Sequence, residues 1–405
     1  MHPANATSPR AYDVAVVGGG VIGLTVARSL RRTGREVALI DPHPASGASQ
    51  VAAGMLAPVT EVHFGETDLL ALNLAAASTW PDFADSLTAS TGHEIGYRTI
   101  GTVVVARDLD DRRELERLRT FAETLGLTME SLTSREVRGR EPLLAADVRG
   151  GLWVPGDHCV DNRRLLFALQ VACRESGVDF LNHEAAGLIV ESGRVTGVRI
   201  TGTESVSAES VVIAAGAWSG LLDGLRTDVA VPVRPVRGQV LRLHSGRGGL
   251  AETPSPRTTV RGLVAGRSVY IVPRSDGEVV VGATSDEVGF EPHVTAGSVW
   301  ELLNDARSLL PSLSEMTFVE ASAGLRPGTP DNVPLVGRTE LPGLLLATGH
   351  YRNGILLAPL TAEHILSLLE SGEDGTKTGA NFAAWDPRRF RRAATPQLVS
   401  TGEIR

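Results

Sequence analysis

The sequence predicts an α/β and α+β protein. A doubly wound nucleotide-binding domain is interleaved with a smaller domain built on an antiparallel sheet. Three observations carry this expectation. Tyr12–Asp41 reads as a strand, a glycine-rich turn, a helix and a second strand. Short apolar runs typical of buried parallel strands recur near Val211 and near Leu344. The segments between them alternate in the manner of antiparallel strands. A chain of 405 residues is too long for one simple core, so two intertwined domains are the natural division. The expected bounds are 1–60, 151–222 and 322–405 for the nucleotide domain, and 61–150 and 223–321 for the smaller one. Residues 1–11 and 372–405 are expected to be flexible tails.

The first element is the most informative. YDVAVV (Tyr12–Val17) is a β-branched strand, Val21–Thr33 an apolar-periodic helix, and Glu36–Asp41 a second strand ending in a carboxylate. Between them Gly18, Gly20 and Gly23 form G-x-G-x-x-G, the Rossmann-type fingerprint. Gly18 lets the chain turn out of the strand, Gly20 leaves room for a pyrophosphate, and Gly23 lets helix and strand pack closely. The helix N-terminus offers free N–H groups and partial positive charge to phosphates. Asp41 is placed to accept hydrogen bonds from ribose hydroxyls.

The next elements follow in order. Ser46–Pro58 reads as a loop of small residues, Asp68–Leu87 as a helix, and Tyr97–Arg107 as a strand. Asp108–Leu125 is a charged amphipathic helix. Asn162–Ser176 is a helix, and Val195–Ile200 and Ser205–Ala215 are strands. A β-rich block covers Val229–Thr284, and Ser298–Leu310 is helical. Leu344–Gly349 is a strand feeding a helix from Asn353 to about Ser371. That second strand-to-helix junction makes another anion-stabilising helix terminus, suited to the negative charge of a reduced flavin. No second G-x-G-x-x-G follows, which disfavours an enzyme reduced by NADPH through its own second nucleotide domain.

Composition excludes several classes. Lys+Arg 39 against Asp+Glu 47 gives net −8, which argues against bare nucleic acid or anionic membrane as the main partner. Lys377 is the only lysine, so Schiff-base chemistry has one remote candidate. Cys159 and Cys173 form neither a CxxC pair nor a zinc framework. There is no G-x-S-x-G elbow, HExxH or P-loop lysine, and the histidines lack metal-ligand spacing. No apolar run reaches 18 residues and no signal sequence opens the chain, so a soluble, cytoplasmic protein is expected.

The segments VAVVGGGVIGLTVA, SQVAAGML, VIAAGAWS, VPVRPVRGQV, YIVPRSDGEVVVGAT, GLRPGTPDNVPLVG and ATGHYRNGILLAP together carry a resemblance. Over about Tyr12–Ser371 the chain resembles the FAD-dependent D-amino-acid oxidase/sarcosine oxidase superfamily. It is most similar to that superfamily's glycine oxidases of thiamine biosynthesis. The resemblance implies a glutathione-reductase-like FAD fold. It implies FAD contacts at Gly18, Gly20, Val21, Ile22, Gly23 and Asp41, then at Ser49, Ala52, Ala53, Gly54 and Met55. Further contacts fall on Ala215, Gly216 and Trp218, and on His350, Arg352, Asn353, Gly354 and Ile355 at the pyrimidine edge. The carboxylate-binding arginine maps to Arg326, its partner tyrosine to Tyr270, and a further active-site arginine to Arg352. No cysteine stands near SAGLRP, where some relatives attach the flavin, so FAD is expected to be non-covalent.

An amino-acid carboxylate needs a fork of charged donors, which Arg supplies and a Tyr hydroxyl extends. Taken alone, Arg326 reads more readily as a surface arginine before a proline turn, and Tyr270 as a core strand tyrosine. His350 reads equally as packing or proton transfer. Ser285 stands where a bulkier apolar cover is expected in glycine-selective relatives, which would widen the substrate pocket or make it polar.

The implied reaction is oxidation of glycine, or a similar small amine, by hydride transfer to FAD. Oxygen would be reduced to peroxide, and the imine would hydrolyse to glyoxylate or enter thiazole formation. The family implies a homo-oligomer. Two alternatives stand beside this. One is a sister oxidase acting on sarcosine, a D-amino acid or a larger glycine-bearing metabolite. The other is an FAD-fold module for nucleotide binding or tRNA modification, for which RRFRR (Arg388–Arg392) is a local basic cluster.

Overall fold

The computed structural model describes residues 11–225, 229–246, 254–371 and 382–390. Two eight-stranded sheets organise it. At the centre of the first are five parallel strands, in the order Leu344–Thr348, Val206–Ile213, Ala11–Val17, Val37–Ile40 and Asp179–Leu181. Leu335–Arg338 closes one edge antiparallel to Leu344–Thr348. The hairpin of Ala185–Glu191 and Arg194–Ile200 attaches antiparallel to Val206–Ile213. The inner strands are buried on both faces, which explains their continuous apolar runs.

Helices Val21–Arg31, Thr67–Thr91, Asn162–Ser176 and Gly354–Ser371 share one core on this sheet, with Trp80 sealed inside. Asn162–Ser176 starts where Asp161 accepts from the backbone N–H groups of Arg163 and Arg164, and stops at Gly177 in the left-handed region. No described helix is long and apolar enough to cross a membrane.

The second sheet runs in the order Thr317–Gly328, Arg234–His244, Glu278–Gly282, Arg267–Pro273, Thr259–Val264, Thr102–Ala106, Gly151–Val154 and Glu130–Leu132. It is antiparallel except where Thr259–Val264 meets Thr102–Ala106. Helix Ala296–Leu309 packs on one face of it.

Several segments depart from the sequence expectations. Gly151–Val154 pairs in the second sheet, although it was expected to open a nucleotide-domain segment. Helix Thr67–Thr91 joins the first core, although it was expected in the smaller domain. The C-terminal region is not a tail throughout. Phe382–Trp385 and Pro387–Phe390 form 3-10 turns, and Phe382 and Trp385 are buried against His364. Two large aromatic side chains give this short polar-looking stretch enough apolar area to hold it on the core. Ala11, expected in the leading tail, begins the first strand. Lys377 and the rest of both tails lie outside the described residues.

Candidate active site

Between the two sheets lies a cavity of about 750 Å³. One end is the glycine turn. A Cβ on Gly23 would stand 1.8 Å from the Gly18 carbonyl oxygen, so the helix can approach the strand only with glycine there. Gly20 caps the helix, and the Val21 N–H donates to Ser49 Oγ at 3.1 Å. Asp41 Oδ2 accepts from Gly19 N–H at 2.6 Å, and Oδ1 from His43 N–H at 2.8 Å. Its carboxylate is thereby fixed at the cavity wall. A glycine cradle, a helix N-terminus and an anchored carboxylate on one wall fit an adenine dinucleotide such as FAD.

The loop after the second strand is pinned from below. Asn162 Nδ2 donates to the carbonyls of Ser49 and Gln50 at 2.8 and 3.0 Å. Arg274 donates to the carbonyls of Ala53 and Val160 at 2.7 and 2.8 Å. Asn162 and Arg274 are buried. They hold Ser49, Ala52, Ala53, Gly54 and Met55 at the cavity wall. Ala215, Gly216 and Trp218 line it from the far side, and Gly354 and Ile355 from the start of the last helix.

The other end is charged. Arg326 comes from Thr317–Gly328 and lies across the neighbouring strand. A Cβ on Gly238 would stand 2.2 Å from its Nη1 and 2.3 Å from its Cζ and Nη2. Nη1 donates to the Thr284 carbonyl at 2.9 Å. Among the described residues Arg326 forms no ion pair. Tyr270 lies beside it; burial raises the pKa of its hydroxyl, against the opposing pull of Arg326 and Arg261. Arg352 pairs with Glu66 at 3.2 Å and with Glu61 at 3.5 Å, and its guanidinium sits over the Tyr351 ring. Ser285 is exposed at the wall, its Oγ 3.5 Å from the Tyr351 hydroxyl.

Sequence reasoning missed Glu61, Glu66 and Arg261. Arg261 stands opposite Tyr270 on the paired strand and forms an ion pair with Glu61. Burial works against charge on Glu61, but Arg261 and Arg352 outweigh it and hold its carboxyl below the usual range. Glu61 lies on the turn after Pro58, which Asp157 fixes. The Asp157 carboxylate accepts from Val59 N–H, Thr60 N–H and Thr60 Oγ1. Burial outweighs those donors and pushes Asp157 up to about 6.

Of the residues singled out from sequence, all line this cavity except Gly23 and Asn353. Gly23 serves helix packing, and Asn353 is buried under the turn that leads into the last helix. His350 is sealed, its Nε2 2.9 Å from Thr361 Oγ1, and burial pushes its pKa down to about 3. Its imidazole is thereby held neutral, and it still forms part of the cavity wall. Arg388 and Arg389 are paired with Asp386 and Asp331, so they present no free basic patch. Arg391 and Arg392 lie outside the described residues.

A phosphate-cradling α/β domain that shares a deep charged cavity with an antiparallel sheet is the architecture of a nucleotide-cofactor oxidoreductase. Residues 13–368 match the family model described as DAO, FAD dependent oxidoreductase, and the chain belongs to that family. It is therefore an FAD-dependent oxidoreductase. Glycine oxidase of Geobacillus kaustophilus is 36% identical over 365 residues, 89% of this chain and 94% of that protein. The bifunctional protein ThiO/ThiG of Nostoc is 35% identical over 358 residues, 88% of this chain but 52% of that protein. The chain thus spans about half the length of such two-function relatives. The crystal structure of the Geobacillus glycine oxidase superposes with a TM-score of 0.83 at 34% identity, covering 93% of this chain and 98% of that one.

Proposed function

We propose that this chain oxidises a small amine carrying one carboxylate, glycine first among the candidates. The observation that carries the reading is Arg326: a guanidinium without a carboxylate partner among the described residues, beside Tyr270, in the cavity that begins at the glycine turn. Relatives named glycine oxidase support it. FAD, bound non-covalently along the glycine turn and the pinned loop, would supply a two-electron acceptor.

The chain's own residues supply position. Arg326 and Tyr270 offer a charged donor fork and a hydroxyl to the carboxylate, which fixes the orientation of the amine-bearing carbon. Each charged hydrogen bond contributes about 1.5–3 kcal/mol. The substrate amine must be neutral, because its lone pair assists oxidation. No side chain in the cavity is required as a base. The net reaction removes two electrons and two protons from glycine and leaves an imine. Water converts the imine to glyoxylate and ammonia, unless thiazole formation for thiamine consumes it first. The electrons and protons pass to oxygen as hydrogen peroxide. In this reading the described parts of 1–60, 151–222 and 322–405 hold the cofactor and those of 61–150 and 223–321 the substrate, with the exchanges noted above and with Arg326 reaching the substrate from a strand of the second sheet.

Ser285 favours a second reading. A hydroxyl exposed at the wall, close to the Tyr351 hydroxyl, suits an amine with a further polar substituent. Anaerobic titration of the flavoprotein with glycine, sarcosine and D-alanine separates the two. Bleaching by glycine supports the first reading; bleaching only by larger amines replaces it with the second. Arg326→Ala should lower kcat/KM by the equivalent of about 2–5 kcal/mol. A near-normal value in that variant removes Arg326 from the reaction.

A further inference from the structure

The face of the second sheet that points away from the cavity carries a polar network which the proposed reaction does not use directly. Along Arg234–His244 the side chains alternate. Gly238 and Val240 face the cavity, while Arg237 and Gln239 face away. Arg237 and Gln239 are nonetheless buried. Both converge on Asp286. Its Oδ2 accepts from Gln239 Nε2 at 3.2 Å, from Arg237 Nη2 at 3.3 Å and Nε at 3.4 Å, and from Thr284 Oγ1 at 3.0 Å. Arg237 and Asp286 also exchange both backbone hydrogen bonds, at 2.8 and 2.9 Å. Gln239 is itself held, donating to Ser298 Oγ at 2.8 Å and accepting from Thr295 N–H at 2.7 Å.

The network ends on the substrate side. Thr284 Oγ1 accepts from Gln239 N–H at 3.2 Å, and the Thr284 carbonyl receives Arg326 Nη1 at 2.9 Å. The same peptide that is clamped through its hydroxyl from behind therefore aims its carbonyl at the carboxylate-binding guanidinium. Ser285, the next residue, is presented into the cavity by the same clamp.

We propose that Asp286 is a positioning residue for Arg326. It fixes Thr284, and through the Thr284 carbonyl it sets where the guanidinium fork points. Four donor contacts converge on one carboxylate oxygen, and Gln239 and Arg237, buried behind the sheet, do not themselves line the cavity. The inference rests on the reading of Arg326 as the carboxylate anchor.

The test uses the FAD-loaded enzyme with acetate as a probe, a carboxylate without an amine. Acetate binding is followed by the flavin absorbance, glycine turnover by KM and kcat, and folding by flavin content and thermal midpoint. Asp286→Asn removes the charge, and Thr284→Val removes only the hydroxyl, so one variant survives if the other folds poorly. Each should weaken acetate binding and raise the glycine KM by roughly three- to tenfold, the span of one hydrogen bond, with a smaller change in kcat. In an Arg326→Ala background neither should weaken acetate further, which a merely structural role would not produce. If Arg326→Ala weakens acetate but Asp286→Asn and Thr284→Val do not, the positioning role is overturned and the anchor reading stands. If Arg326→Ala itself leaves acetate binding unchanged, both fall.

Discussion

Gly238→Ala isolates the geometry of Arg326, the proposed carboxylate anchor. The added methyl would lie 2.2 Å from Arg326 Nη1 and 2.3 Å from its Cζ and Nη2, where ordinary contact begins near 3.4 Å. Something must retreat by roughly 1 Å, and the far end of a flexible arginine moves more readily than a paired strand. The stability cost is therefore small, within about 1–3 kcal/mol for an overpacked site. The functional cost falls directly on catalysis, because a misplacement of about 1 Å at a positioning group lowers a rate by up to about a hundredfold. We expect kcat/KM for the amine to drop by roughly 10- to 100-fold, or about 1.4–2.7 kcal/mol. Flavin content should stay full. The assay is steady-state oxygen uptake, with a thermal melt on the same preparation. A variant that keeps kcat/KM within about twofold would mean that Arg326 is not held where its fork matters. A variant that loses its flavin would mean the clash is relieved by moving the strand instead.

Three further outcomes are expected. Glu61→Gln leaves Arg261 without its charge partner and should cost about 3–5 kcal/mol in urea unfolding near neutral pH. Because the folded Glu61 carboxyl is held low, the wild-type contribution should persist at neutral pH and fade only as pH falls below the ordinary glutamate range. Asp157 behaves in the opposite sense. Its folded pKa is raised to about 6, so the cost of its charge is absent below about pH 4 and fully present above pH 6. The melting midpoint of Asp157→Asn relative to wild type should therefore rise between those limits, and a constant difference would refute the shift. Iminodiacetate, a glycine bearing a second carboxylate, should bind at least tenfold more weakly than glycine, since among the described arginines of the cavity wall Arg326 alone has no carboxylate partner; comparable affinities by flavin titration would show a second anion site.

The cofactor end was legible because its chemistry is local. Gly18, Gly20, Gly23 and Asp41 lie within one βαβ unit, and the turn, the helix N-terminus and the carboxylate follow from spacing alone. The proposed anchor pair comes only from resemblance: Arg326 and Tyr270 sit on strands whose pairing partners no local pattern reveals. The ion pairs of the wall were not legible at all. Glu61 and Arg261 are 200 residues apart, and Glu66 and Arg352 are 286 apart. Nothing in the neighbourhood of either glutamate distinguishes it from a solvated one. Short elements failed for a different reason. Gly151–Val154 and the turns at 382–390 span four residues each, too few for a periodicity to show, and their placement depends on Trp385 and on a sheet edge formed elsewhere.

Under the proposed reading, those invisible pairs would restrict the cavity to one anion. Glu61 leaves the first domain on a turn pinned by Asp157, Arg261 rises from the second sheet, and Arg352 stands on the turn before the last helix. Three distant segments converge, so closing the cavity and neutralising its wall are one structural event. Arg261 and Arg352 are matched there against Glu61 and Glu66. The third arginine, Arg326, has only a carbonyl and a tyrosine beside it. A half-buried guanidinium without an anion carries part of a desolvation cost that a bound carboxylate would relieve. A second carboxylate would have to displace Glu61 or Glu66 from a pair already made. Among the described residues the wall thus presents one guanidinium without a carboxylate partner, which is the property that the proposed reading, a small monocarboxylate bound beside FAD, requires.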